Sequence, residues 1–327
     1  MLRTCICIAI VILSLQVTAQ QKKPIPVIFD SDMGPDYDDV GAITMLHAFA
    51  DSGYAKIVAT VASTNYEGVA GVFNVFNTYF NRPDILIGVP KEWALGLKDW
   101  QHWTDTLLKN YPHRITRNSE VPGAVEVYRK VLAQQPDKSV TIITTGFLTN
   151  LANLLRSGAD KYSKLTGDEL VRRKVKQVVC MGGRFPSGKE FNLHRDSIAS
   201  QYVATHWKTA FIFSGFEIGH PIRTGLPLIR NAAIINSPVK EVFRMCIPMD
   251  AQDSLGRMSW DETAVLVAIK GVQPYYTLET GRIIMNEDGS NSWQKAAGPH
   301  ARLLVNLPPA QIEKLLNTLI MHQPVKK

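Results

Sequence analysis

Within ten positions, Asp30, Asp32, Asp36, Asp38 and Asp39 place five carboxylates in the segment DSDMGPDYDD. Two like charges about 4 Å apart repel by roughly 4 kcal/mol at an effective dielectric near 20. A chain tolerates that cost in three ways: a cation among the carboxylates, protonation of some of them, or side chains that point apart into solvent. Asp at a helix N-terminus also has an ordinary structural use, capping the first turn and opposing the macrodipole. Capping accounts for one or two acids, not five. An all-oxygen cluster suits a hard cation; Ca²⁺ takes about six to eight oxygens, whereas Mg²⁺ takes fewer protein ligands and keeps its waters. Metal binding is the chemistry this segment favours.

Such a segment has to be held in place. An apolar run from Ile25 to Phe29 leads into it, and Ala42, Ile43, Leu46, Phe49 and Ala50 follow at helical spacing as a buried stripe. Short apolar runs predict strands over 27–29, 57–62, 85–89, 140–144, 175–181 and 210–213. Amphipathic segments over 69–80, 121–133 and 148–156 predict helices between them. This alternation predicts an α/β fold with an open, mainly parallel sheet and helices on both faces. Ligand sites in such sheets lie beyond the carboxyl ends of the strands. Asp30 and Asp32 fall at the end of the first strand, and Asp38 and Asp39 open the next helix. Near the other end, Pro308-Pro309 followed by Ile312, Leu315, Leu316, Leu319 and Ile320 predicts a further helix. No internal repeat or low-complexity tract divides residues 20–327, which read as one domain.

Residues 1–19 carry a different signal. Arg3, an apolar stretch over 5–15 and Val17-Thr18-Ala19 read as a secretory signal peptide, too short to span a membrane. Export to a periplasm or the exterior is expected, with no stable membrane association after cleavage. Lys and Arg total 36 against 29 Asp and Glu, a net charge of +7. That excess is spread out rather than clustered with aromatics, which argues against a nucleic-acid partner. Beyond the leader, Cys180 and Cys246 permit one disulfide; Cys180 lies in a strand-like run and reads as a buried free thiol.

FDSDMGPDYDDVGAI resembles the N-terminal signature of the inosine-uridine preferring nucleoside hydrolase family, in a longer variant that adds Asp36. TVASTN, ITTGFLTNLA, VVCMGGRF, EFNLHRD and SWDETAVLVAI resemble the family's later motifs, in the family's order. The resemblance implies a Ca²⁺ held by Asp32, Asp39, the Thr145 carbonyl and Asp261, with Asp32 also the general base towards the attacking water. It places Asp38, Asn65, Glu190 and Asn192 on the sugar hydroxyls and makes Asp30 a residue that orients the others. The reaction implied is hydrolysis of a ribonucleoside's N-glycosidic bond through an oxocarbenium-like sugar, giving free base and ribose. Small-molecule nucleosides are the implied substrates, and a homo-oligomer, dimer or tetramer, the implied assembly. Two departures stand out. Trp260 occupies the place of a His that many members carry before the late Asp, and no Asn precedes Glu-Phe-Asn. Trp260 is then expected to stack on the base, with Trp93 on the opposite face and Trp100 or Trp103 as alternatives, an arrangement that favours purines. His220 reads as a structural loop histidine. Two other readings are a metal-stabilised nucleoside- or sugar-binding protein without turnover, and a haloacid-dehalogenase-type phosphatase. The latter is disfavoured because Gly34 stands where that family has Thr or Val.

Overall fold

The computed structural model describes residues 23–325; the leader expected over 1–19 lies outside them. Strands β1 (Ile25–Ser31), β2 (Ala55–Ala62), β3 (Leu86–Gly88), β4 (Val140–Thr144), β5 (Val175–Met181), β6 (Ser187–Gly188) and β7 (Ala210–Ser214) come first. A small antiparallel pair follows, β8 (Arg223–Thr224) with β9 (Arg257–Met258), and then β10 (Tyr276–Met285), β11 (Asn291–Lys295) and β12 (His300–Val305). The main sheet has the order β3-β2-β1-β4-β5-β7-β12-β10-β11-β6. From β3 to β12 every pairing is parallel. From β12 to β6 the pairings are antiparallel.

Strands buried on both faces read as unbroken apolar runs, because helices cover each side. Successive side chains of β1 illustrate this: Ile28 packs into one core and Phe29 into the other. On the Phe29 side the helices Asp38–Asp51, Val69–Tyr79, Pro238–Cys246, Trp260–Lys270 and Pro309–Ile320 contribute Leu46, Phe73, Phe243, Leu266 and Leu316. On the Ile28 side the helices Ala124–Gln134, Thr149–Arg156, Gly167–Lys174 and Ser197–His206 contribute Val131, Leu151, Val171 and Val203. The expected open, mainly parallel sheet is present. The antiparallel extension was not expected from the sequence. Both Cys180 and Cys246 are buried free thiols. Among the described residues no helix is long and apolar enough to cross a membrane.

β1 lies between β2 and β4. The chain builds outwards from β1 through β2 to β3, then crosses back to begin the other half at β4. Such a reversal leaves a crevice at the carboxyl ends of the two strands. Register aligns Asp30 with Val61 on one side and Thr144 on the other, and Thr145 N donates to Asp30 O at 2.8 Å. The acidic segment and the Thr145-Gly146 turn therefore meet.

Candidate active site

The turn after β1 is tightly made. Met33 adopts φ 39, in the left-handed region that non-glycine residues seldom enter. Its N–H donates to Ser31 Oγ at 3.0 Å, and Ser31 Oγ donates to Asp39 Oδ1. Gly146 is wedged against this turn: a Cβ there would lie 2.3 Å from Ser63 Oγ and 2.5 Å from Asp32 N. Only glycine lets the two segments approach this closely.

Asp32, Asp38, Asp39 and Asp261 are all buried. Burial, and then the neighbouring Asp39, push the Asp32 carboxyl well above the usual carboxylate range. Asp261 is raised likewise, by burial and then by Asp38 and Asp39. Asp39 is pushed up to about 6, mainly by burial. Thr145 Oγ1 donates to Asp39 Oδ1 at 3.3 Å, but Asp39 Oδ2 is buried with no hydrogen-bond partner. An orphaned carboxylate oxygen among mutually repelling acids fits a hard cation, and the donor set is all oxygen. Among the described residues no group of three or more acidic, His or Cys side chains is arranged as a ready-formed cage. Asn192 Nδ2 donates to the Thr145 carbonyl at 3.2 Å, and Ser31 and Thr145 both donate to Asp39 Oδ1. Behind the cluster, Asp30 accepts from Tyr128 Oη at 2.7 Å and from Asn150 Nδ2 at 3.1 Å. Burial outweighs these bonds and pushes Asp30 up to about 7.

Asp38 does not reach out as a free contact for a sugar. Its Oδ1 accepts from Arg257 Nε at 3.1 Å and Nη2 at 2.8 Å, and its Oδ2 accepts from the N–H groups of Trp260 and Asp261, both at 3.2 Å. It caps the helix Trp260–Lys270 and so positions Asp261. Arg257 also pairs with Asp36 and stands 3.8 Å from Asp253, with its guanidinium over the rings of Tyr37 at 5.0 Å and Trp260 at 5.1 Å. A protein cation thus offsets part of the acidic charge. Sequence reading missed Arg257, and nothing in the spacing of GRMSWDE marks it.

A cavity opens over these groups, lined by Asp32, Asp36, Asp38, Thr145, Glu190, Asn192, Trp260 and Asp261, together with Met181, Lys189, Phe191 and Phe216. Glu190 acts as the N-cap of the helix Phe191–Arg195, accepting from the N–H groups of Asn192 at 2.8 Å, Leu193 at 3.0 Å and Gly183 at 3.0 Å. It is a brace for Asn192 as much as a wall of the cavity. Trp260 Nε1 donates to the Phe216 carbonyl at 2.9 Å, and the two rings lie 5.2 Å apart, tilted by 34°. His220 stacks on Phe216 at 5.0 Å, at the exposed edge of this aromatic group.

Two residues expected on the substrate, Asn65 and Trp93, do not line the cavity. Asn65 is exposed at the end of β2, its N–H donating to Leu95 O at 2.9 Å. Trp93, 67% exposed, instead borders a separate cavity with Thr149, Asn153, Arg156 and Ile198. The cause is the path of its loop: Leu95 bridges to Thr64, and Leu97 O runs past Gly34, which leaves Trp93 on the outer side. Phe216 is the aromatic neighbour of Trp260, and Trp103, the other alternative for that role, is fully buried elsewhere in the core. Trp100 is exposed and does not line the cavity either.

The inosine-uridine preferring nucleoside hydrolase family matches residues 27–307. The pyrimidine-specific ribonucleoside hydrolase RihA of Shewanella sp. (strain ANA-3) is 27% identical over 236 residues, covering 68% of this chain and 66% of that protein. RihA of Enterobacter sp. (strain 638) is 30% identical over 232 residues, covering 67% and 65%. The chain thus spans slightly less than two thirds of the length of these curated relatives. Among solved structures, the plant nucleoside hydrolase PpNRh1 has a TM-score of 0.69 at 16% identity, covering 91% of this chain and 99% of that one. The purine-preferring ribonucleoside hydrolase from Gardnerella vaginalis has a TM-score of 0.66 at 14% identity, covering 90% and 99%. Identities this low speak for the fold alone. The family match covers β1 and the acidic turn, the Thr145-Gly146 contact and the Asp261 helix, so the chain belongs to the inosine-uridine preferring nucleoside hydrolase family.

Proposed function

We propose that this protein hydrolyses the N-glycosidic bond of ribonucleosides, releasing free base and ribose, and that it does so with Ca²⁺. The observation that carries the reading is the buried, mutually repelling group of Asp32, Asp39 and Asp261 at the switch point, with Asp39 Oδ2 orphaned and Asp32, Asp261 and Thr145 lining the cavity. Asp32, Asp39, Asp261 and the Thr145 carbonyl would hold the cation, which would supply positive charge to steady the carboxylates and make water easier to deprotonate. Asp32, at the cavity wall, takes the proton of the attacking water. Asn192, braced by Glu190, frames the sugar. As the bond to the base breaks, the base gains a proton, and no imidazole stands at position 260 to give it. The indole of Trp260 beside Phe216 offers an aromatic face, and stacking contributes about 0.5–1.5 kcal/mol beyond area burial. Purines, with the larger ring system and a basic N7 open to solvent protonation, gain more from that face, so purine nucleosides are the proposed preference. The names of the RihA relatives favour pyrimidines, and this is the competing reading.

The leader over 1–19 supports export, and the family supports a homo-oligomer. A panel of purine and pyrimidine nucleosides, assayed for released reducing sugar with and without chelator, tests the proposal. Calcium-dependent release, faster from inosine than from uridine, is expected, and Trp260→Ala should bring the two rates together. Release of no sugar from any nucleoside leaves a binding protein, and release of phosphate from a phosphoester leaves a phosphatase. Uridine preferred by the wild type makes Trp260 a packing residue.

A further inference from the structure

The carboxylate geometry separates two residues that the acidic motif places side by side. A carboxylate offers about four acceptor positions. Asp38 already has four donors on it, two from Arg257 and two from backbone amides. A sugar hydroxyl could bind there only by displacing one of them, which would strand a buried donor. Asp36 differs in each respect. It lines the same cavity, its side chain is 46% exposed, and the described residues supply one donor, Arg257 Nη2, to its Oδ2. Arg257, only 8% exposed at its side chain, is itself fixed by Asp38, by Asp253 and by the rings of Tyr37 and Trp260. The Nε and Nη2 donors of the rigid guanidinium both reach Asp38 Oδ1, and Nη2 alone reaches Asp36 Oδ2, which leaves Asp36 Oδ1 without a donor among the described residues.

We propose that Asp36, the acid added in the longer motif, accepts a hydroxyl of the bound sugar in place of Asp38, with Arg257 as the residue that positions it. The inference rests on the ribonucleoside hydrolase reading. Asp36 reads the sugar, and Asp38 organises the helix that carries Asp261.

The test compares wild type, Asp36→Asn and Arg257→Lys on the best ribonucleoside of the panel and on its 2′-, 3′- and 5′-deoxy counterparts, with Ca²⁺ affinity measured by calorimetry. Asp36→Asn is expected to raise KM for the ribonucleoside about tenfold or more. For one deoxy counterpart the penalty of the missing hydroxyl should shrink by a similar factor, while Ca²⁺ affinity stays at the wild-type value. Arg257→Lys keeps the charge and loses the fork. It should raise KM more for the ribonucleoside than for that same deoxy counterpart, a split that general loss of packing does not produce. An active wild type whose Asp36→Asn variant keeps its KM, or loses equally on all four substrates, overturns this inference alone. A wild type inert towards every ribonucleoside overturns the hydrolase reading and this inference with it.

Discussion

At the scale of residues, the site stores repulsion. Burial and mutual charge raise Asp32 and Asp261 well above the usual carboxylate range. Removing one of these charges should therefore stabilise the cation-free protein even as it destroys the site. Asp261→Asn, measured in chelator, is expected to melt above wild type, with a larger gain at alkaline than at mildly acidic pH, where protonation already relieves the strain. Added Ca²⁺ should raise the melting temperature of the wild type by an amount that grows with concentration and do little for the variant; at a hundredfold excess over Kd the gain is about 2.7 kcal/mol. A variant that melts below wild type in chelator sinks the account. The acids stood out by their density in one short segment, whereas Thr145-Gly146 and the Glu190–Asn192 turn were picked out by the family's motifs. Arg257 was not legible, since its role depends on β9 bringing it against Asp36 and Asp38, 221 and 219 positions earlier in the sequence. Trp93 was misplaced because an exposed loop aromatic has no periodicity to fix its direction. The family resemblance placed Asp38 on the sugar, and only packing shows how many donors its carboxylate already holds.

Two elements set the spacing of the acids. The helices Asp38–Asp51 and Trp260–Lys270 both begin at the site, and they pack where Gly41 meets Glu262. A Cβ on Gly41 would lie 2.1 Å from Glu262 Oε1, which is fully buried and has little room to retreat. Alanine for glycine inside a helix ordinarily gains about 1 kcal/mol, whereas overpacking a well-filled interface costs about 1–3 kcal/mol. The clash should win. Gly41→Ala is expected to lower stability and, by moving Asp261 away from Asp39, to weaken Ca²⁺ binding, readable by denaturant melting and calorimetry. A variant as stable as wild type with unchanged affinity shows that the helices do not set that distance. Strands β1, β2, β4, β5 and β7 were legible within two residues at each end because burial on both faces leaves unbroken apolar runs. β10 and β12 were not: Glu279, Arg282 and Arg302 interrupt their apolar positions, and cross-strand partners such as Glu279 and Arg302 pair them instead.

At the scale of the molecule, strand order was not legible. Alternating strands and helices imply a parallel sheet, but β1 lying between β2 and β4 is what makes one crevice of two distant motifs. The same burial gives the whole fold a pH dependence of determinate sign. Asp30 is fully buried behind the site, and burial pushes its carboxyl up to about 7 from an ordinary 3.8, against the opposing bonds from Tyr128 and Asn150. In the unfolded chain the group is ionised above its ordinary value. Between the two values the folded state holds a proton that the unfolded state has released, so stability falls as pH rises and this group's contribution is gone above the folded pKa. Asp39, at about 6, acts in the same direction. Each pKa unit is worth about 1.4 kcal/mol, so the loss is on the order of a few kcal/mol. In chelator, the melting temperature of the wild type should fall from about pH 5 to about pH 8, and Asp30→Asn, which carries no charge to bury, should flatten that slope. Added Ca²⁺ should oppose the fall, because it favours the ionised carboxylates. A flat wild-type profile, or an Asp30→Asn profile as steep as the wild type's, removes Asp30 as the source.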